Sequence, residues 1–246
     1  MSIVFSDTTT YKGLVQMYEK EIGANRADVS GNANRLLEFT ADANMALDDF
    51  IYLAITSSGT WQFDDSNHTD YPIVYTNLVD GQRDYSFTTD ENSNLILDIY
   101  KVLILNSATA ATYQEIKPID QQTKFSGIDE ESATEGVPFQ YDKTANGIFL
   151  NPTPSYDATK GLKLIINREG HIFVAADTTA KAGVPGLFHS YFYLKPAMHY
   201  ARRKNLSNYK LIQEQVLTLE RDIKDYYSQR ERDVRHIMTP KRINYI

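Results

Sequence analysis

Residues 209–226 read Tyr-Lys-Leu-Ile-Gln-Glu-Gln-Val-Leu-Thr-Leu-Glu-Arg-Asp-Ile-Lys-Asp-Tyr, and the spacing of their apolar side chains decides the fold. Tyr209, Ile212, Val216, Leu219, Ile223 and Tyr226 follow one another at steps of three and four, which sets them on one side of a helix over about 208–230. Glu220 with Lys224, and Arg221 with Asp225, add oppositely charged pairs one turn apart. So thin a seam needs a groove to fill. The other helices of this chain supply it in the simplest case, and a neighbouring subunit supplies it otherwise.

Just upstream, residues 187–204 also keep a helical period, through Phe188, Tyr191, Phe192, Leu194, Lys195, Met198 and His199. Pro196 lies inside this stretch and removes one backbone donor. Two helices are expected at the other end of the chain. The first runs over about 10–22, with Thr8 or Thr9 as its cap and Gly23 as its stop. The second runs over about 32–55 and ends at Ser57-Ser58-Gly59. Its apolar positions, from Leu36 through Ala43, Leu47 and Ala54, leave Asp42, Asp48 and Asp49 on the wet side or its border. Trp61 and Phe63 come next, placed to plug the end of the helix pair.

Between the two helical ends the period changes to that of strands. Ile73–Thr76 and Tyr85–Phe87 flank Asp80-Gly81, the signature of a hairpin turn. Residues 95–105 are apolar on both faces and predict a central strand, with 113–117 as its partner up to Pro118. Further strands are expected over 138–141, 148–150 and 162–167. Residues 121–125 suggest a helical turn, and 127–137 an acidic loop. The expected class is α+β: a four-helix unit formed by the N- and C-terminal helix pairs, with a mainly antiparallel β subdomain inserted. The boundaries drawn are 1–60, 61–182, 183–230 and a terminal segment 231–246.

At 246 residues the chain is long enough to bury a substantial core, and 42% hydrophobic with 23% charged residues argues against wholesale disorder. It has no cysteine, which removes disulfides, thiolate metal sites and a thiol nucleophile. No apolar run approaches the ~18–20 residues that span a bilayer, and the first residues lack the pattern of a secretory signal. No membrane partner is expected. The net charge of −7 is unevenly spread: residues 201–246 hold eleven Lys/Arg against six Asp/Glu, leaving −12 on residues 1–200. Such asymmetry fits a basic terminal segment docking on an acidic partner, while the acidic body repels phosphates.

Sequence signs of chemistry are few. There is no nucleophile elbow, phosphate-binding loop, dinucleotide fingerprint or paired-histidine zinc motif. His68, His171, His189, His199 and His236 lack ligand spacing. Residues 90–101 start like a calcium loop but carry Leu95 and Lys101 where glycine and glutamate belong. Asp129-Glu130-Glu131 is a solvated acidic run with nothing to shift a pKa. No catalytic residue, metal or cofactor is expected.

Several local strings, taken with the order of elements, carry a resemblance. They are Ala33-Asn34-Arg35-Leu36-Leu37, Gly59-Thr60-Trp61-Gln62-Phe63, Asp80-Gly81-Gln82-Arg83-Asp84-Tyr85-Ser86-Phe87, Gly136-Val137-Pro138-Phe139-Gln140-Tyr141, Ile148-Phe149-Leu150-Asn151-Pro152-Thr153-Pro154 and Gly183-Val184-Pro185-Gly186-Leu187-Phe188-His189. As a pattern over nearly the whole chain they resemble the head-to-tail adaptor (connector or head-completion) proteins of tailed bacteriophages. The resemblance implies a virion protein, assembled in the host cytoplasm, that forms a ring, usually of twelve copies, beneath the portal at the head–tail neck. It implies helices in the ring wall, a β part facing outward or toward the tail, and a C-terminal segment reaching the portal. The elements carried over are the helix 32–55, the helices 187–230 and the segment 231–246.

Two expectations follow from that role. Asp42, Asp48 and Asp49 are candidates to face the DNA channel, which must pass the duplex without binding it. Arg230, Arg232, Arg235, Lys241 and Arg242, with the apolar Tyr245 beyond them, are candidates for docking on the portal. The neighbouring alternatives are a neck stopper or a tail-tube-closing protein. Alternatives of a different class are a virion-associated cell-wall hydrolase and a DNA-binding module built on residues 201–246.

Overall fold

A computed structural model describes residues 3–58, 73–89, 95–119, 134–144, 147–170 and 172–229. The first helix, α1 (Leu14–Glu21), is shorter than the spacing predicts. The Asp7 carboxylate accepts hydrogen bonds from the backbone N–H of Thr9 and Thr10 and from the Thr10 hydroxyl, and Tyr11 takes a φ of 58°. That side-chain-stabilised turn delays the helix to a Gly13 cap, so Thr8 and Thr9 do not cap it. Gly23, at φ 70°, does stop it: its N–H bonds to the Lys20 carbonyl and that of Ala24 to Glu19, the paired arrangement that closes helices at a left-handed residue. In α2 (Ala33–Ser58), Asn32 Oδ1 accepts from the N–H of Asn34 and Arg35 at 3.1 and 3.2 Å, a side-chain cap.

After a single 3₁₀ turn at Gly186–Phe188, α3 (Tyr191–Lys204) runs through Pro196 and ends on left-handed Asn205, and α4 (Tyr209–Gln229) follows. Helices α2, α3 and α4 each contact the other two, and α1 lies on α3. Their buried side chains form one hydrophobic cluster that includes Phe39, Leu47, Phe50, Phe188, Tyr191, Phe192, Ile212, Val216 and Ile223. The α4 seam therefore turns inward. Its last fully buried member is Tyr227 rather than Tyr226, which is half-buried with its ring edge-on to Phe188. Residues 3–6 cross the cluster's rim, where the Phe5 and Ser6 N–H groups bond to the carbonyls of Ala180 and Thr178.

The strands are β1 (Ile73–Leu78), β2 (Asp84–Ser86), β3 (Ile96–Leu105), β4 (Tyr113–Pro118), β5 (Glu135–Gly136), β6 (Gln140–Lys143), β7 (Gly147–Asn151), β8 (Thr153–Pro154) and β9 (Ala158–Arg168). Seven of them make one sheet in the order β1-β9-β3-β4-β6-β7-β2, and β5 and β8 pair separately. The sheet is antiparallel except for a short parallel step between β4 and β6. β3 lies near its centre with β4 as its partner, as its two apolar faces predict.

The hairpin expected at Asp80-Gly81 does not form between β1 and β2. The turn is there, with Gly81 at φ 73° and Gln82 N–H bonded to the Val79 carbonyl, but β1 pairs with β9 and β2 with β7. The two strands are the opposite edges of the sheet. Six flat strand spacings would separate those edges by about 29 Å, whereas the six Cα steps from Leu78 to Asp84 reach about 21 Å at most. The sheet must curl, and it encloses a second hydrophobic cluster that includes Leu78, Val102, Ile148, Leu150, Leu162, Leu164 and Ile166. The molecule is thus mixed α+β, with four helices and one large curled seven-stranded sheet among the described residues.

Candidate functional site

The acids marked out on α2 meet three different fates. Asp42 is buried, which corrects its assignment to the wet side. Its two oxygens take a bidentate fork from Arg203 of α3, at 2.6 and 3.2 Å, and His199 Nδ1 stands 3.9 Å away. Burial alone would raise the Asp42 carboxyl; the His199 and Arg203 groups beside it outweigh that and hold it below the ordinary value. Asp42 is a strut between α2 and α3, not a bare charge.

Asp49 is exposed but tied to Lys195 at 3.3 Å. The same ammonium binds Glu220 at 2.6 Å, and Glu220 also accepts from the Tyr191 hydroxyl at 3.2 Å. Burial, with Glu220 and Asp49 close by, pushes the Tyr191 hydroxyl up, so it stays neutral and donates. Glu220 is therefore spent on an interhelical network rather than on the expected Lys224 pair. Asp48 points outward with no cationic partner among the described residues, and burial and the Asp49 charge raise its carboxyl.

Asp48 lines a cavity of about 630 Å³ where the second half of α2 faces β3 and β9, with Ile51, Tyr52, Ile55, Leu97, Asp98, Asn167 and Glu169. Asn167 is buried and its Oδ1 has no hydrogen-bond partner among the described residues. The segment after β9 holds this junction together: Asn44 donates to the Phe173 carbonyl and accepts from its N–H at 3.0 and 2.8 Å. A Cβ on Gly170 would stand 2.8 Å from Ile51 Cδ1 and 3.1 Å from Leu47 Cδ2, so the chain passes close against α2 here.

The histidines within the described residues serve structure. Buried His189 accepts from Ile3 N–H through Nδ1 at 3.0 Å and holds the Val184 carbonyl through Nε2 at 3.0 Å. Buried Glu19, which the sequence reading passed over, accepts from the N–H groups of Val29 and Ser30 and fixes the loop before α2. Among the described residues no three His, Asp or Glu side chains converge on a possible metal site, and no helix is long and apolar enough to cross a membrane. Arg230, Arg232, Arg235, Lys241, Arg242 and Tyr245 lie outside the described residues, as do Trp61, Phe63, residues 121–125 and Asp129-Glu130-Glu131.

No protein-family model matches the chain. A search of the curated proteins finds no significant match.

Proposed function

We propose that the chain is a structural virion protein: a ring-forming adaptor that joins the portal vertex of a phage head to its tail and continues the DNA channel. It acts without catalysis or cofactor, and the DNA passes without sequence-specific binding. In this reading the terminal helix pairs form a four-helix unit and the sheet is a subdomain inserted into it. The observation that carries the reading is the shared cluster of α1–α4: helices from the two ends of the chain bury one another although about half the chain intervenes. That arrangement agrees with the element order and local strings by which the sequence resembles the adaptors. Tied carboxylates such as Asp42 and Asp49 suit a load-bearing wall.

Imaging intact particles tests the role. A symmetric collar at the capsid vertex, built of about twelve copies in this reading, is the expected result; particles without such a collar, or a collar that cannot accommodate this chain, would end the proposal. Removing residues 231–246 tests the docking segment. Portal binding should be lost while the circular dichroism and melting of the remaining chain stay unchanged; normal binding by the shortened protein would refute that assignment.

A further inference from the structure

The outer side of α2 is apolar where a helix facing water should be polar. Leu37, Ala41, Met45 and Tyr52 are all exposed, with Leu37, Met45 and Tyr52 open to 59%, 55% and 68%. At about 100° per residue they share one stripe, ~22 Å long. At Tyr52 the stripe runs into the α2–sheet cavity and on to Leu97 of β3, itself 48% exposed. Acids line the stripe: Glu38 at its edge and Asp48 within it on α2, and from the sheet side Glu169 and Asp98, the latter paired with Lys143 at 3.1 Å. Asn167, 92% buried, also lines the cavity, and its Oδ1, an acceptor, has no hydrogen-bond partner among the described residues. Acceptors and carboxylates around an apolar strip call for a partner with apolar side chains between cationic ones.

The chain carries such a partner on another face. The outer ridge of α4 places Lys210, Glu214, Leu217, Arg221 and Lys224 in one row, all exposed, with three cations to one acid and with Leu217 open to 57%. None of the three cations has an ion pair among the described residues. The strip is poorly suited to a copy of itself, because a two-fold contact would set its acidic borders against each other.

We propose that the acid-bordered strip of α2 and β3 receives the basic ridge of α4 from a second copy of this chain. The contact is head-to-tail: each copy offers the strip on one flank and the ridge on the other, which is the geometry that closes into rings. The inference deepens the ring-forming reading and rests on it.

Charge exchange tests the contact in the full-length protein. Arg221→Glu with Lys224→Glu, and separately Glu38→Lys with Asp48→Lys, should each weaken self-association at least tenfold by sedimentation, with helicity unchanged. A copy carrying all four changes should recover to within threefold. Because the chain has no cysteine, Met45→Cys and Leu217→Cys, at the centres of strip and ridge, add an independent readout. The doubly substituted chain should give a ladder of oligomers with a short bismaleimide, and each single variant only monomer.

Failure of the four-change protein to recover, wild-type assembly by both charge variants, a dimer from Met45→Cys alone, or no ladder from the double variant overturns the interface. If collars are still seen on particles, the ring-forming reading survives that loss. If no collar exists, the reading itself fails, whatever the cross-links show.

Discussion

At the scale of single residues, the Asp42–Arg203 fork is the interaction with most at stake. The carboxylate is buried and the guanidinium half-exposed, so removing the cation strands a charge inside while leaving little cavity. Arg203→Met should cost ~1–3 kcal/mol in urea denaturation, discounted for the solvent on the arginine, whereas Asp49→Asn at the exposed end of the Lys195 network should cost under ~1 kcal/mol. Acid sensitivity follows from the same pair. The folded Asp42 carboxyl titrates below its ordinary value of 3.8, so its contribution is complete above that pH and disappears as the pH falls through the lower folded value. Asp42→Asn should flatten the loss of stability below about pH 4; an unchanged acid limb would show that other carboxylates dominate it. An acid on the border of the α2 stripe was legible in the sequence. Its burial was not, because the arginine that makes burial tolerable lies 161 positions away.

At the scale of elements, period reveals type but not partners. The seam of α4 could be read directly, and Ile212, Val216 and Ile223 face inward as their spacing demands. The register drifted by one place at its end, since a straight helix turns slightly less than a three-four repeat assumes, which brings Tyr227 under Phe50. β3 shows the limit of alternation. Ile99 and then Val102 and Ile104 are the buried residues, and the change of parity comes from a bulge in which β3 advances from Ile99 to Lys101 while β9 advances only from Ile166 to Ile165. Tyr100 is thereby left outside. Phe50 packs against Phe188, Tyr191, Phe192 and Tyr227 with ring centres 5.5–6.2 Å away, so Phe50→Ala should cost ~3–5 kcal/mol by thermal or urea melting. In β9, a Cβ on Gly161 would fall 2.8 Å from both Ala158 Cβ and Leu78 Cγ. Gly161→Ala should therefore destabilise the β1–β9 pairing, lowering the melting temperature and speeding amide exchange at Val74 and Leu164 before any change in the helices; unaltered exchange would mean that the shift of register in β1 between Thr76 and Leu78 absorbs the methyl.

At the scale of the whole molecule, two hydrophobic clusters stand side by side, one among the helices and one inside the sheet, with a cavity and the Asn44–Phe173 bonds at their junction. Such an arrangement should unfold in separable steps. Leu164→Ala is expected to move one urea transition and Phe50→Ala the other, followed by fluorescence of single engineered tryptophans in sheet and helix; a single transition displaced equally by both would show one cooperative unit. The sequence by itself determined the class, the terminal placing of the helices, the central strand and the absence of thiol chemistry, because composition and short periods are local properties. Only the tertiary structure decided that β1 and β2 lie at opposite edges, that Asp42 is buried while Asp48 is not, and that α2 keeps an apolar side uncovered. Those outcomes depend on which surfaces meet across long stretches of chain, and a side chain's surroundings are set by that meeting rather than by its neighbours in sequence.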